Sequence, residues 1–183
     1  SAILLGGDPG IGKSTILLQA ADALSRERAV VYASGEESVR QVALRARRLG
    51  LAATSLRLLA ETRVELILEA AAATAAKVLI VDSIQTVQTE ASESSPGSAS
   101  QVRESAGRLV GHAGAGGTAV LLHSAAGGVG LSALQILAAH DARVVATVGR
   151  LEVPNGAVNV VPGRARLSID VRSPRDEDRL QAV

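Results

Sequence analysis

The stretch Gly7-Asp8-Pro9-Gly10-Ile11-Gly12-Lys13-Ser14 restricts what this chain can fold into more than any other. It places glycine, four residues, glycine, lysine and serine in order, after the apolar run Ala2-Ile3-Leu4-Leu5 and before a helical pattern from Ser14 to Arg26. A strand, a tight glycine loop and a helix in that order form a unit of an α/β sheet. Glycines let the backbone curl its N–H groups inward as an anion nest. The helix N-terminus adds partial positive charge. Lys13 is spaced to reach β- and γ-phosphates, the Ser14 hydroxyl to ligate Mg²⁺, and Thr15 to touch an α-phosphate. The pattern predicts that residues 7–15 hold a nucleoside triphosphate, ATP with Mg²⁺. A bare glycine turn with a chance lysine is the alternative, and it requires strand, loop and helix to fall in register by accident.

Strand and helix patterns alternate beyond the loop. Ala29 to Ala33 reads as a strand, Glu37 to Leu49 as a helix ended by Gly50, and Leu56 to Leu59 as a short strand. Thr62 to Ala75 reads as an Ala-rich helix and Lys77 to Asp82 as a strongly apolar strand. Residues 88–100, rich in Ser, Glu and Gly, read as a mobile loop. A helix over Gln101–Val110, a Gly/Ala linker over Gly111–Gly117 and a strand over Thr118–His123 follow. Then come a helix over Gly130–Ala139 and a strand over Ala142–Thr147. Turn signals at Asn155-Gly156 and Pro162-Gly163 precede an alternating strand over Arg166–Val171, and Ser173 is placed to cap a last helix over Arg175–Ala182. This order predicts one α/β domain over residues 1–183, with a mainly parallel sheet, helices on both faces and an antiparallel C-terminal edge hairpin.

Composition narrows the partners. There are 19 basic and 18 acidic residues, a formal charge of +1, which gives no general push toward nucleic acid or anionic lipid. Nucleotide or phosphate is the expected partner, nucleic acid and membrane are not, and a monomer or homodimer is the expected assembly. Cysteine is absent, which removes disulfides and thiolate metal sites and fits a reducing, cytoplasmic setting. No leader is apparent, and no apolar run has the length of a membrane span. With no Phe, Trp or Met and one tyrosine, Tyr32, the core must be built from Ala, Val, Leu and Ile.

A metal-bound triphosphate needs an acid at the end of a nearby strand, and Asp82 closes Val78-Leu79-Ile80-Val81. Ser14 and Asp82 are therefore the candidate metal ligands. Hydrolysis needs a group to polarise water. Glu36 and Glu37 follow the second strand at the same end of the sheet, and either can serve. They equally suit a solvated helix start, where the dipole favours acids.

Residues 1–110 resemble the ATPase core of the bacterial RadA (Sms) DNA-repair proteins, a RecA-like family. The resemblance rests on Leu4 to Thr15, Ser34-Gly35-Glu36-Glu37-Ser38, Val81-Asp82-Ser83-Ile84-Gln85-Thr86 and Pro96 to Glu104. It implies a three-layer RecA-like sheet with strand order 3-2-4-5-1, ATP hydrolysis with Glu36 as the catalytic acid, and oligomers on DNA. The family's Lys-Asn-Arg-Phe-Gly motif is missing from this chain. The expectation is therefore ATP–Mg²⁺ binding with weak or no hydrolysis.

A second glycine stretch, His123 to Gly130, follows the fifth strand. Ala125, Gly127, Gly128 and Gly130 read as a variant dinucleotide fingerprint. Residues from about 118 to 149 resemble medium-chain quinone oxidoreductases, which implies weak NADP binding at this loop. Residues from about 147 to 183 resemble the small dimerisation domain of metal-dependent carbamoylases and allantoate amidohydrolases. There, the positions of Asn159 and Arg172 help hold a substrate carboxylate. Three local resemblances in one chain suggest an artificial chimera, with residues 111–149 completing the sheet and 150–183 forming a hairpin and short helix. An NADP-binding module and a folded chain with no selected activity are the alternative readings.

Overall fold

A computed structural model describes residues 2–7, 10, 12–53, 55–125, 145–152 and 166–172. Five parallel strands form the main sheet: β1 (Ala2–Gly7), β2 (Val30–Ser34), β3 (Leu56–Ala60), β4 (Val78–Asp82) and β5 (Ala119–Ala125). Their order is β1-β5-β4-β2-β3, the order implied by the RecA-like resemblance. The intervening helices are α1 (Lys13–Ser25), α2 (Val39–Arg48), α3 (Val64–Ala73) and α4 (Ala99–Gly116).

Both faces of the sheet are covered, so its strands are nearly continuous apolar runs. The two-residue period decides which side chain meets which layer. Val30 and Tyr32 of β2, with Val78 and Ile80 of β4, pack against Leu17, Leu18 and Ala21 of α1 and Val42 and Ala46 of α2. Val31, Ala33, Leu79 and Val81 point the other way, onto Ile67 of α3 and Val102, Ala106 and Leu109 of α4. The result is a three-layer α/β/α arrangement built almost wholly from aliphatic side chains.

Helix ends depart from the sequence expectation where local chemistry is stronger than the apolar pattern. α2 starts at Val39, not Glu37, because Ser38 is its N-cap and completes a capping box with Gln41. α4 starts at Ala99, inside the expected loop, with Ser98 accepting a hydrogen bond from the Gln101 backbone N–H. It also runs through the expected Gly/Ala linker to Gly116. Val102, Ala106, Leu109 and Ala113 continue one buried stripe, and that burial outweighs the low helix propensity of glycine. The start of the segment, Gln88 and Thr89, is tied down as well. The Gln88 N–H donates to the Thr62 carbonyl (2.8 Å), and the Gln88 carbonyl accepts from the Val64 N–H (2.9 Å). The Gln101 side-chain amide donates to the Thr89 carbonyl (3.1 Å), and Glu65 accepts from both the Thr89 hydroxyl and Arg108.

Two further strands, β6 (Val145–Glu152) and β7 (Arg166–Arg172), pair antiparallel with a register shift between Val148 and Arg150. β6 runs beside β1, and β6 and β7 form a two-stranded sheet of their own. β6 also runs past the expected end at Thr147, to Glu152. The expected helices over 130–139 and 175–182, the Ser173 cap, the turns at 155–156 and 162–163, and Asn159 lie outside the described residues.

α2 and α3 end in the same motif with different residues. After α2, Gly50 (φ +69°) donates to the Arg47 carbonyl and Leu51 to Ala46. After α3, Ala75 (φ +48°) donates to Ala72 and Ala76 to Ala71. Both are Schellman caps, whose left-handed position suits glycine. Alanine there carries a steric cost that glycine does not. Ala75→Gly is therefore expected to stabilise the chain by about 1 kcal/mol, read as a higher urea midpoint at unchanged slope. A lower midpoint would contradict this account of the cap.

Candidate functional site

Because the sheet is parallel, the carboxyl ends of its strands share one edge, where α/β sheets bind ligands. Gly7 is level with Ala125, and Ser34 is level with both Ala60 and Asp82. The glycine loop, the Ser34–Ser38 segment and the Asp82–Thr86 segment thus leave the sheet from the same edge.

The loop has the features required of an anion cradle. Gly10 and Gly12 adopt φ of +79° and +96°, which L side chains rarely take, and among the described residues no atom beyond their chain neighbours lies within 4 Å of where a Cβ would stand on either. α1 begins at once after Gly12, with no side-chain cap hydrogen bond at Gly12 and no acidic residue within its own first turn. Lys13 is buried at the base of the loop, with 6% of its surface exposed. Asp8, Pro9 and Ile11 lie outside the described residues.

Asp82 joins three elements. Its Oδ1 accepts from the Ser14 hydroxyl at the start of α1 (3.1 Å), and its Oδ2 accepts from the Tyr32 hydroxyl of β2 (2.5 Å). Burial, together with the adjacent Asp82 carboxylate, pushes the Tyr32 phenol well above its ordinary pKa, so Tyr32 is a permanent donor. The Ser14–Asp82 contact brings together the two residues proposed from sequence as metal ligands. Backbone N–H groups, a lysine, a hydroxyl and a carboxylate form a donor set that fits a triphosphate with a divalent cation. Mg²⁺ keeps several waters and takes one or two protein oxygens beside the phosphates, so the two side chains suffice. Among the described residues no group of three or more His, Cys, Asp or Glu is placed to hold a metal by itself.

Glu36 and Glu37, left equal by the sequence, separate here. The Glu37 carboxylate pairs with Arg45 of α2, and its N–H donates to the Ser34 hydroxyl (3.0 Å). Glu36 instead accepts from the hydroxyl of Ser83, the residue after Asp82 (2.8 Å). Glu36 therefore stands beside the acid of β4 while Glu37 is committed to helix α2. An open cleft of about 320 Å³ between the β2 and β3 ends is lined by both glutamates and by Glu61. Hydrogen bonds from the Arg63 backbone N–H and neighbouring donors hold the Glu61 carboxyl below its ordinary pKa.

Sequence reasoning missed Tyr32, Ser83, Gly35 and Thr86. Tyr32 carried a signal, as the one aromatic in an aliphatic chain and two residues before the end of β2. The others show only in three dimensions. A Cβ on Gly35 would stand 2.2 Å from Thr86 Oγ1 and 2.8 Å from Thr86 Cβ. Thr86 in turn closes the Ser83 turn through its hydroxyl (2.8 Å to the Ser83 carbonyl). Of the second glycine stretch, Ala125 is the last residue of β5, while Gly127, Gly128 and Gly130 lie outside the described residues.

A family model described as an AAA domain matches residues 1–129. The chain belongs to that family. The match extends through β5 to residue 129, so it takes in the first part, residues 118–129, of the segment likened to oxidoreductases. Similar curated proteins include DNA repair protein RadA of Pseudomonas aeruginosa, 50% identical over 122 residues, and RadA of Escherichia coli, 46% identical over 122 residues. These alignments cover 67% of this chain but only 27% and 26% of those proteins. Those relatives are DNA-repair proteins by name, whereas the composition of this chain gave no expectation of a nucleic-acid partner. A KaiC-like protein from Pyrococcus horikoshii superposes with a TM-score of 0.67 at 20% identity, over 96% of this chain and 80% of that one, and shows the shared fold. Among the described residues no helix is long and apolar enough to cross a membrane.

Gly35→Ala is expected to cost about 1–3 kcal/mol, because backbone or Thr86 must shift to admit the methyl. Denaturant unfolding reads this directly. A loss below about 0.5 kcal/mol would show that the Gly35–Thr86 approach does not constrain the segment.

Proposed function

We propose that this chain binds ATP with Mg²⁺ on the Gly7–Ser14 loop and hydrolyses it slowly. The observation that carries the reading is the Ser14–Asp82 hydrogen bond at the uncapped start of α1. Family membership and the RadA relatives support it independently. Backbone N–H groups of residues 10–15 take phosphate oxygens, and Lys13 neutralises charge on the β- and γ-phosphates. Ser14 and Asp82 hold Mg²⁺, which when bound draws electron density from the phosphoryl oxygens. Glu36 takes a proton from the attacking water while Ser83 fixes one of its oxygens. The products are ADP and inorganic phosphate.

The reading of slow turnover is supported by the composition of the segments that meet at this edge. Segments 7–15, 34–38 and 82–86 contain no arginine. An arginine that neutralises the transition state, in cis or in trans, is worth about 10³–10⁵ in kcat. The oxidoreductase, carbamoylase and chimera readings gain no support from the family match, and NADP is not retained as a ligand.

Lys13→Ala is expected to weaken ATP–Mg²⁺ binding at least about tenfold by calorimetry, as loss of a charge-assisted phosphate contact should. Glu36→Gln should keep binding and lose phosphate release. Unchanged affinity in the lysine variant would overturn the assignment of the loop, and unchanged phosphate release in the glutamine variant would remove Glu36 from the chemistry.

A further inference from the structure

Asp82 has 3% of its surface exposed, and the Tyr32 hydroxyl that donates to it is fully enclosed. The Tyr32 ring lies in the buried cluster that includes Leu17, Leu18 and Val42. A phenol has two side-chain torsions and one O–H, and here a packed ring aims that O–H at one oxygen of one carboxylate. With Oδ2 held at 2.5 Å, Oδ1 is turned toward the Ser14 hydroxyl, across the gap between β4 and α1.

We propose that Tyr32 is the positioning residue for the metal of a bound nucleotide: it fixes Asp82 so that Oδ1, beside Ser14, is the oxygen presented to the cation or to its bound water. The inference rests on the ATP–Mg²⁺ reading and adds a part to it. Outer partners that orient a metal-binding side chain typically account for about 10–100-fold in metal affinity or activity. Tyr32 touches neither phosphate nor reacting atoms in this reading; it acts through Asp82.

The role separates from simple packing because Tyr32→Phe keeps the ring and deletes one donor. Affinity for a non-hydrolysable ATP analogue is measured in Mg²⁺ and in EDTA, for the unmodified chain and Y32F, by calorimetry. Y32F is expected to bind as the unmodified chain does in EDTA and about tenfold more weakly in Mg²⁺. Equal weakening in both conditions, or none in either, would overturn the positioning role. An unmodified chain that binds the analogue no better in Mg²⁺ than in EDTA would overturn it too. An unmodified chain that does not bind the analogue at all would overturn the nucleotide reading itself, which distinguishes the two failures.

A second measurement leaves Tyr32 in place. It is the one aromatic residue of the chain, so near-ultraviolet emission reports on it alone. A carboxylate accepting from a phenol quenches its emission by drawing off the proton in the excited state. Emission is expected to rise in Asp82→Asn, where an amide replaces the carboxylate. Equal emission in the two proteins would show that the Tyr32–Asp82 bond is not formed, and the proposal would fall.

Discussion

A carboxylate enclosed at the end of β4 organises this molecule. Removing a charge from water costs several kcal/mol unless donors replace the lost hydration. Asp82 meets that demand by drawing Tyr32 from the neighbouring strand and Ser14 from the first turn of α1. Those hydrogen bonds tie three elements distant in sequence: β2, β4 and the helix that follows the glycine loop. Hydrogen bonds to charged groups contribute about 1.5–3 kcal/mol each, which is large against the net stability of a domain. The same contacts leave the loop, its lysine and a hydroxyl–carboxylate pair at one place on the sheet edge.

The rest of the edge is arranged around this point. Ser83 extends the strand and holds Glu36, and Thr86 closes the turn that Gly35 must pass at close range. The Gly35 N–H donates to the Asp82 carbonyl (3.0 Å), carrying the β2–β4 pairing past the strand ends. The aliphatic core supports this edge without forming part of it. Leu, Val, Ile and Ala interdigitate on both faces of the sheet, and the one aromatic ring is spent where its polar tip is needed.

Much of this was legible in the residues. The glycine loop between an apolar run and a helical pattern located β1 and α1, and the alternation of strand and helix gave a parallel sheet covered on both faces. The strand order came from the RecA-like resemblance, because apolar runs as similar as β4 and β5 do not reveal which neighbours they choose. Helix starts were misplaced where a single hydrogen bond decides them: Ser38 and Ser98 each outrank the apolar pattern. Gly111 to Gly116 looked like a linker by composition, yet a stripe ending at Ala113 keeps those residues helical. Tyr32 and Ser83 escaped because their partners lie 50 and 47 residues away, and no local period records such contacts.

A structure of the chain determined with Mg²⁺ and a non-hydrolysable ATP analogue tests the central claim most directly. The account predicts phosphates cradled by the backbone of residues 10–15 with Lys13 against them, and the cation between Ser14 and Asp82. A nucleotide seated at another edge of the sheet, or a cation bound without Ser14 and Asp82, would contradict it.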